Sequence, residues 1–285
     1  MKLIRFGNLG QEKPGLILED KQWIDVSAAV ADYDESFFEN DGLSRLKAWL
    51  ANNAKTAPRV DKSVRLGAPI YKPGKIVCIG ANYRDHIEET GAEIPEEPVI
   101  FFKSPTALTG PNDNLIIPKN SVKTDWEVEL LVVIEKRASY VKESDALDYV
   151  AGYALHNDYS ERAFQIERSG QWVKGKSCDT FAPVGPFIAT KDEIKDVNNL
   201  KMWLKVNGVT KQNGTTANMI FNVPFIVSYI SEFMTLLPGD IISTGTPAGV
   251  GLGLKPPEYL KPGDIVELGI EGLGESAQNA VAYSG

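Results

Sequence analysis

At 285 residues, with 43% apolar and 24% charged side chains, the chain can bury a sizeable core unaided, and neither wholesale disorder nor a fibrous repeat fits it. Its 38 acidic residues outnumber the 30 basic ones for a formal charge of −8, which speaks against a nucleic-acid platform and for a soluble protein that handles a small molecule. Two cysteines, Cys78 and Cys178, and two histidines are too few for a disulfide framework or a zinc centre of nitrogen and sulfur ligands. The opening MKLIRFGNLG lacks the apolar run of a signal sequence, and stretches such as Leu130 to Ile134 fall far short of the ~20 residues of a membrane span. The cytoplasm, with its reduced thiols, is the expected compartment.

Residues 1–70 are expected to form a small α+β unit of their own. Leu3 to Phe6, Gly15 to Leu18 and Gln22 to Val26 read as short strands between Gly and Asp turn signals. From Gly42 onward, Leu43, Leu46 and Leu50 recur at helical spacing with a polar reverse face. A Pro/Gly cluster, Leu66-Gly67-Ala68-Pro69 and then Lys72-Pro73-Gly74, marks the boundary to a second unit, 71–285. That unit carries β-like runs at Ile76–Ile79, Val99–Lys103, Glu127–Glu135, Met202–Val206, Ile241–Thr244 and Ile265–Ile270. Helical patterns are fewer, chiefly Ser144–Tyr149, Asp158–Glu167 and Pro224–Phe233. With no regular strand–helix alternation, the pattern predicts an α+β fold, mostly β, with mixed and largely antiparallel sheets rather than a doubly wound parallel one.

Gly170 to Ser177, GQWVKGKS, satisfies the P-loop pattern letter for letter. The mechanism behind that pattern needs a strand before it and a helix N-terminus after it, so that backbone amides cradle phosphates. Here a charged, helix-like segment precedes it, and Pro183 and Pro186 fall where the helix would run. The context argues against a nucleotide site and leaves Lys176 in need of another role.

Three features bear chemistry. Trp126 to Ile134 reads as a strand buried on both sides after its first residues, and the two-residue period puts Glu127 and Glu129 on one face at its head. Buried together, they would repel unless a cation or a shared proton compensates; a solvated strand end with two surface acids is the alternative. Asp158, after the apolar run Tyr149 to Leu155, supplies a third acid at the end of a second buried strand. Three carboxylates without clustered His or Cys suit a hard ion, Mg2+ or Mn2+. Next, His86 and Glu89 are three apart on a polar helical turn that follows a strand and Gly80. A carboxylate beside an imidazole fixes its tautomer and raises its basicity, as water activation requires; an ordinary surface pair is the alternative. Finally, Ser243 to Gly251, STGTPAGVG, offers hydroxyls and amides that could approach a ligand oxygen, or simply a tight turn. His156 reads as packing or support for Asp158. The glutamate-rich stretch Glu88 to Glu97, with Gly91 and Pro95, reads as a mobile lid that places Glu89 against His86 when ligand binds.

Taken in order, GANYRDHIEE (80–89), FFKSP (101–105), WEVELLVVI (126–134), YALHNDYSERAFQ (153–165), WVKGKSCDTFAPVGP (172–186) and DIISTGTPAGVG (240–251) resemble the fumarylacetoacetate hydrolase family over essentially all of 71–285. The resemblance implies a mixed β-roll catalytic domain, usually in homodimers or higher assemblies, using Mg2+ or Mn2+. By position, Glu127, Glu129 and Asp158 match its metal ligands, His86 and Glu89 its water-activating dyad, and Lys176 its active-site lysine. Arg162, Gln165 and Thr246 match substrate contacts, and Lys103 lies in a matching segment. The implied reaction is hydrolysis of a 2,4-dioxo acid to pyruvate and a carboxylic acid. Oxaloacetate decarboxylation, isomerisation in aromatic-ring breakdown and an inactive metal-binding relative are the alternatives. The opening MKLIRFG and QEKPGLILED are similar to the branch acting on 2,4-dioxo-3-deoxy sugar acids.

Overall fold

The computed structural model describes residues 1–284. Its backbone is an eleven-stranded sheet. In spatial order run Arg59–Val60, Trp23–Asp25, Lys13–Ile17, Lys2–Phe6, Ile188–Thr190, Val150–Asn157, Val128–Ile134, Ile241–Ser243, Ile76–Gly80 and Val99–Lys103, with Leu66–Gly67 also paired to Lys2–Phe6. Neighbours are antiparallel except Ile241–Ser243 beside Ile76–Gly80. A five-stranded sheet of Val209–Thr215, Lys201–Val206, Ile265–Ile270, Gly274–Ala282 and Leu115–Ile117 forms a second layer. The mostly-β α+β architecture expected from the sequence is the one observed. No helix among the described residues is long and apolar enough to cross a membrane.

The strands expected in 1–70 form, and so does the helix Gly42–Asn53. They continue the large sheet rather than building a separate one: Lys2 and Leu3 pair with Ala189 and Ile188. The Pro/Gly cluster near residue 70 is therefore crossed by the sheet, although the chain turns there.

Val128–Ile134 lies in the middle of the large sheet and every one of its residues is buried. Its even side chains, Val128, Leu130 and Val132, pack in one core with Met202, Leu204 and Leu268 of the second sheet. Its odd ones, Leu131 and Val133, share the other core with Leu3, Phe37 and Leu46 of the N-terminal segment. The period-two alternation thus assigns each residue a layer, and Glu127 and Glu129 fall on the odd face. Leu131→Ala should cost about 3 kcal/mol, a transfer loss plus a cavity that strands on both sides cannot collapse into. Urea unfolding should show a lower midpoint with an unchanged slope.

A candidate active site built on buried carboxylates

The site begins with strand register. Val128 pairs with Asn157 and Glu129 with His156. One step further, the Asp158 amide donates to the Glu127 carbonyl at 2.9 Å, so these two residues lie opposite each other across the ladder. Carboxylate oxygens of Glu127, Glu129 and Asp158 all come within 4.8 Å of one another, and all three residues are buried. The helix expected over Asp158–Glu167 is shorter, Arg162–Ile166. Ser160–Glu161 first bridges to Thr124–Asp125, and the Glu161 carboxylate then caps the helix by accepting from the Ala163 amide.

Three buried cations meet these acids. Lys176 Nζ lies 2.6 Å from Glu127 Oε2 and 3.0 Å from Asp158 Oδ2. Lys103 Nζ donates to Asp158 Oδ1 at 2.5 Å and to the Tyr159 carbonyl at 3.0 Å. Arg162 donates from Nη2 to Glu127 Oε1 at 2.7 Å, from Nε to Asp125 Oδ2 at 2.8 Å and from Nη1 to Gln165 Oε1 at 3.1 Å. The resemblance to a P-loop dissolves here. Val173–Lys176 is a single helical turn, and Gly175 is required because a Cβ there would sit 2.4 Å from the Glu161 carbonyl. That close approach is what brings Lys176 to the acids.

Glu129 differs from its neighbours in having no basic partner. Its Oε2 accepts from Ser243 Oγ at 2.5 Å and from the Gly245 amide at 2.9 Å, Gly245 having the left-handed φ of +94° that turns the chain at this point. Burial pushes the Glu129 carboxyl well above its usual range, and the charges of Asp158 and Glu127 add to the effect. Burial also pushes Glu127 and Asp158 up, but Lys176 with Arg162 for the first, and Lys103 with Lys176 for the second, outweigh it and hold both below their usual values. Hard oxygen donors converging around one uncompensated carboxylate fit a divalent cation.

His86 and Glu89 share the helix Arg84–Thr90. Nδ1 of His86 lies 3.5 Å from Glu89 Oε2, longer than a hydrogen bond, and both atoms are buried with no other partner. Glu89 Oε1 accepts from the Gly249 amide at 2.9 Å. Of the stretch expected to act as a lid, Glu89 already stands beside His86 in this structure, anchored by the Gly249 amide. His86 lines a cavity of about 60 Å³ with Glu127, Glu129, Lys176, Phe101 and Trp172, the two aromatic rings 5.3 Å apart between centroids and Lys176 Nζ 5.0 Å from the Phe101 ring.

Gln165 and Thr246 also line the cavity. Thr246 is turned inward, donating to the Val128 carbonyl at 2.9 Å and accepting from Gln212 at 2.8 Å. Within 243–251, Ser243 and Gly245 donate to Glu129, Thr244 and Thr246 to carbonyls of the acid strand, Gly249 to Glu89 and Gly251 to Asp125. His156 is buried, its Nδ1 is 3.0 Å from the Pro183 carbonyl, and burial drives its pKa down to about 4, so it is a neutral packing residue. Sequence reasoning missed Asp125, although Asp125, Glu127 and Glu129 repeat at the strand spacing. It left Lys103 without a role, although Phe101 and Lys103 alternate inward on one strand.

A carboxyl raised by folding favours the fold below its unfolded value, 4.5 for glutamate, and loses that contribution as pH climbs through the raised value. With divalent ions chelated, the melting temperature should therefore decline as pH rises above about 5, and Glu129→Gln should flatten the decline; thermal melts between pH 5 and 8 test both.

A Burkholderia multivorans protein described as a hydrolase is 52% identical over 279 residues, 98% of each chain. The maleylpyruvate hydrolase of Sphingobium sp. SYK-6, solved in complex with manganese(II) and pyruvate, superposes with a TM-score of 0.83 at 29% identity over the whole of both chains. The 2-hydroxyhepta-2,4-diene-1,7-dioate isomerase of Mycobacterium marinum does so with a TM-score of 0.76 at 33% identity, again over both whole chains. The family model for the fumarylacetoacetate (FAA) hydrolase C-terminal region matches residues 75–281, and with that match the chain belongs to the fumarylacetoacetate hydrolase family of hydrolases and isomerases.

Proposed function

We propose that this protein is a Mg2+- or Mn2+-dependent hydrolase that splits a C–C bond of a 2,4-dioxo acid, an acylpyruvate or a 2,4-dioxo-3-deoxy sugar acid, to pyruvate and a carboxylic acid. One observation supports it above the others: a carboxylate without a basic partner, Glu129, and the imidazole of His86, which has Glu89 behind it, line one small cavity. Glu127, Glu129 and Asp158 would hold the ion, which when bound supplies electrophilic stabilisation to the carboxylate and 2-oxo oxygens of the substrate.

Glu89 faces Nδ1 of His86, so the Nδ1–H tautomer is favoured and the opposite nitrogen is left as the base. That nitrogen takes a proton from water as the water oxygen bonds to the 4-oxo carbon. The C3–C4 bond then breaks, its electron pair passing into the enolate of pyruvate, while the former 4-oxo carbon leaves as the carboxylic acid. Lys176, whose ammonium is stabilised against its burial by Asp158 and Glu127, balances the enolate charge. The proton that His86 took from water is then returned to C3, which completes pyruvate and restores the neutral imidazole.

The 33% identity to a dioate isomerase supports a second reading, in which the same enolate is held but the proton is returned to another carbon. The assembly that goes with either reading is a homodimer. It is supported by the outer edge of Val99–Lys103, the last strand of the large sheet, where Val99 and Phe102 are exposed. Light scattering should give twice the monomer mass.

A lactate-dehydrogenase-coupled assay over acylpyruvates and dioxo sugar acids should detect pyruvate with Mg2+ or Mn2+ and none after chelation. Activity that survives chelation would overturn the metal assignment, and absence of pyruvate from every substrate would favour isomerisation. His86→Ala should lower kcat for hydrolysis by ~10²–10⁴-fold. Oxaloacetate decarboxylation, which needs no attacking water, should survive that substitution if it occurs at all.

A further inference from the structure

We propose that Asp125, outside the three-acid cluster, is a positioning residue that keeps Glu127 available to a cation by restraining Arg162. The role of Glu127 in this rests on the function proposed above. Asp125 is completely buried, and its two oxygens accept four hydrogen bonds. Oδ1 takes the amides of Gly251 at 2.6 Å and Trp126 at 2.8 Å, and Oδ2 takes the Leu252 amide at 3.0 Å and Arg162 Nε at 2.8 Å. Three backbone donors fix the carboxylate, and the carboxylate fixes the guanidinium.

The consequence lies in how Arg162 meets Glu127. A guanidinium is a planar fork that grips a free carboxylate with two parallel bonds. With Nε held by Asp125 and Nη1 by Gln165, Arg162 gives Glu127 only Nη2, to Oε1, and leaves Oε2 to Lys176. Released from Asp125, the fork can turn toward both oxygens of Glu127, and a cation would then have to displace two donors of Arg162 rather than one, besides Lys176. A buried ion pair kept only for stability would carry no such effect on cation binding.

The test uses Mn2+ alone as the probe, titrated into the full chain and followed by the paramagnetic relaxation of water protons. Asp125→Asn retains an oxygen for the Gly251 amide and should weaken Mn2+ binding about tenfold, as loss of a residue supporting a metal ligand does. Arg162→Lys removes the fork, leaving nothing to cover both oxygens of Glu127, and should bind Mn2+ at least as tightly as the wild-type protein; weaker binding there would overturn the positioning role even if Asp125→Asn does not fold. In the double variant Arg162→Lys should restore what Asp125→Asn loses. Unchanged affinity in a folded Asp125→Asn protein, or a double variant as weak as Asp125→Asn alone, would overturn the positioning role while leaving the metal assignment standing. Wild-type protein that binds no Mn2+ would overturn the metal assignment, and the positioning role with it.

Discussion

A buried row of alternating charges organises this protein. Asp125, Arg162, Glu127, Lys176, Asp158 and Lys103 follow one another in contact, three negative and three positive. Each charge has an opposite neighbour, which is the condition for burying ions at all, since removing one partner from such a pair costs about 3–5 kcal/mol. Glu129 stands beside the row and outside its balance. Its partners are a hydroxyl and an amide, which can satisfy hydrogen bonds but not a full charge. The protein must therefore leave Glu129 protonated or supply a cation, and that choice is what makes the cluster a candidate centre rather than a structural knot.

The same logic accounts for the glycine-rich loop. Its amides are directed at protein carboxylates: Gly245 to Glu129, Gly249 to Glu89, Gly251 and Leu252 to Asp125. One short stretch of backbone thus sets the distance between the acid cluster and the His86–Glu89 pair. Trp126 closes the frame by donating from its indole nitrogen to the Gly249 carbonyl at 3.0 Å. Backbone donors suit this task because they cannot rotate away, and pre-set geometry of this kind lowers the cost of reaching a charged transition state.

Much of this was legible in the sequence, and where it was not the reasons are physical. The acid strand could be read because a continuous apolar run admits only a strand buried on both faces, and the two-residue period then fixes where Glu127 and Glu129 point. His86 and Glu89 could be read because residues three apart meet on any helix. Arg162 could be located but not its contacts, which depend on Asp125 arriving from a separate strand. The helix expected from Asp158 failed because Ser160 and Glu161 found strand partners in Thr124 and Asp125, a tertiary pairing that local periodicity does not encode. The N-terminal strands were visible, yet their attachment to Ile188–Thr190, nearly 190 residues away, was not.

On the function proposed above, one arrangement would suit both the hydrolases and the isomerases of the family. Each chemistry needs an enolate stabilised next to a carboxylate, for which the row of charges with its surplus acid would serve. Each needs a group that moves a proton, for which His86 beside Glu89 would serve. What separates them is whether a water molecule stands between the imidazole and the substrate carbon, so that the proton removed comes from oxygen rather than from carbon. Beside the charges Phe101 and Trp172 meet edge to face, Lys176 Nζ lies 5.0 Å from the Phe101 ring, and Gly80 leaves room for the indole. On the function proposed above, the room these rings leave for a water molecule is where the two chemistries would part, while the buried charges would be common to both.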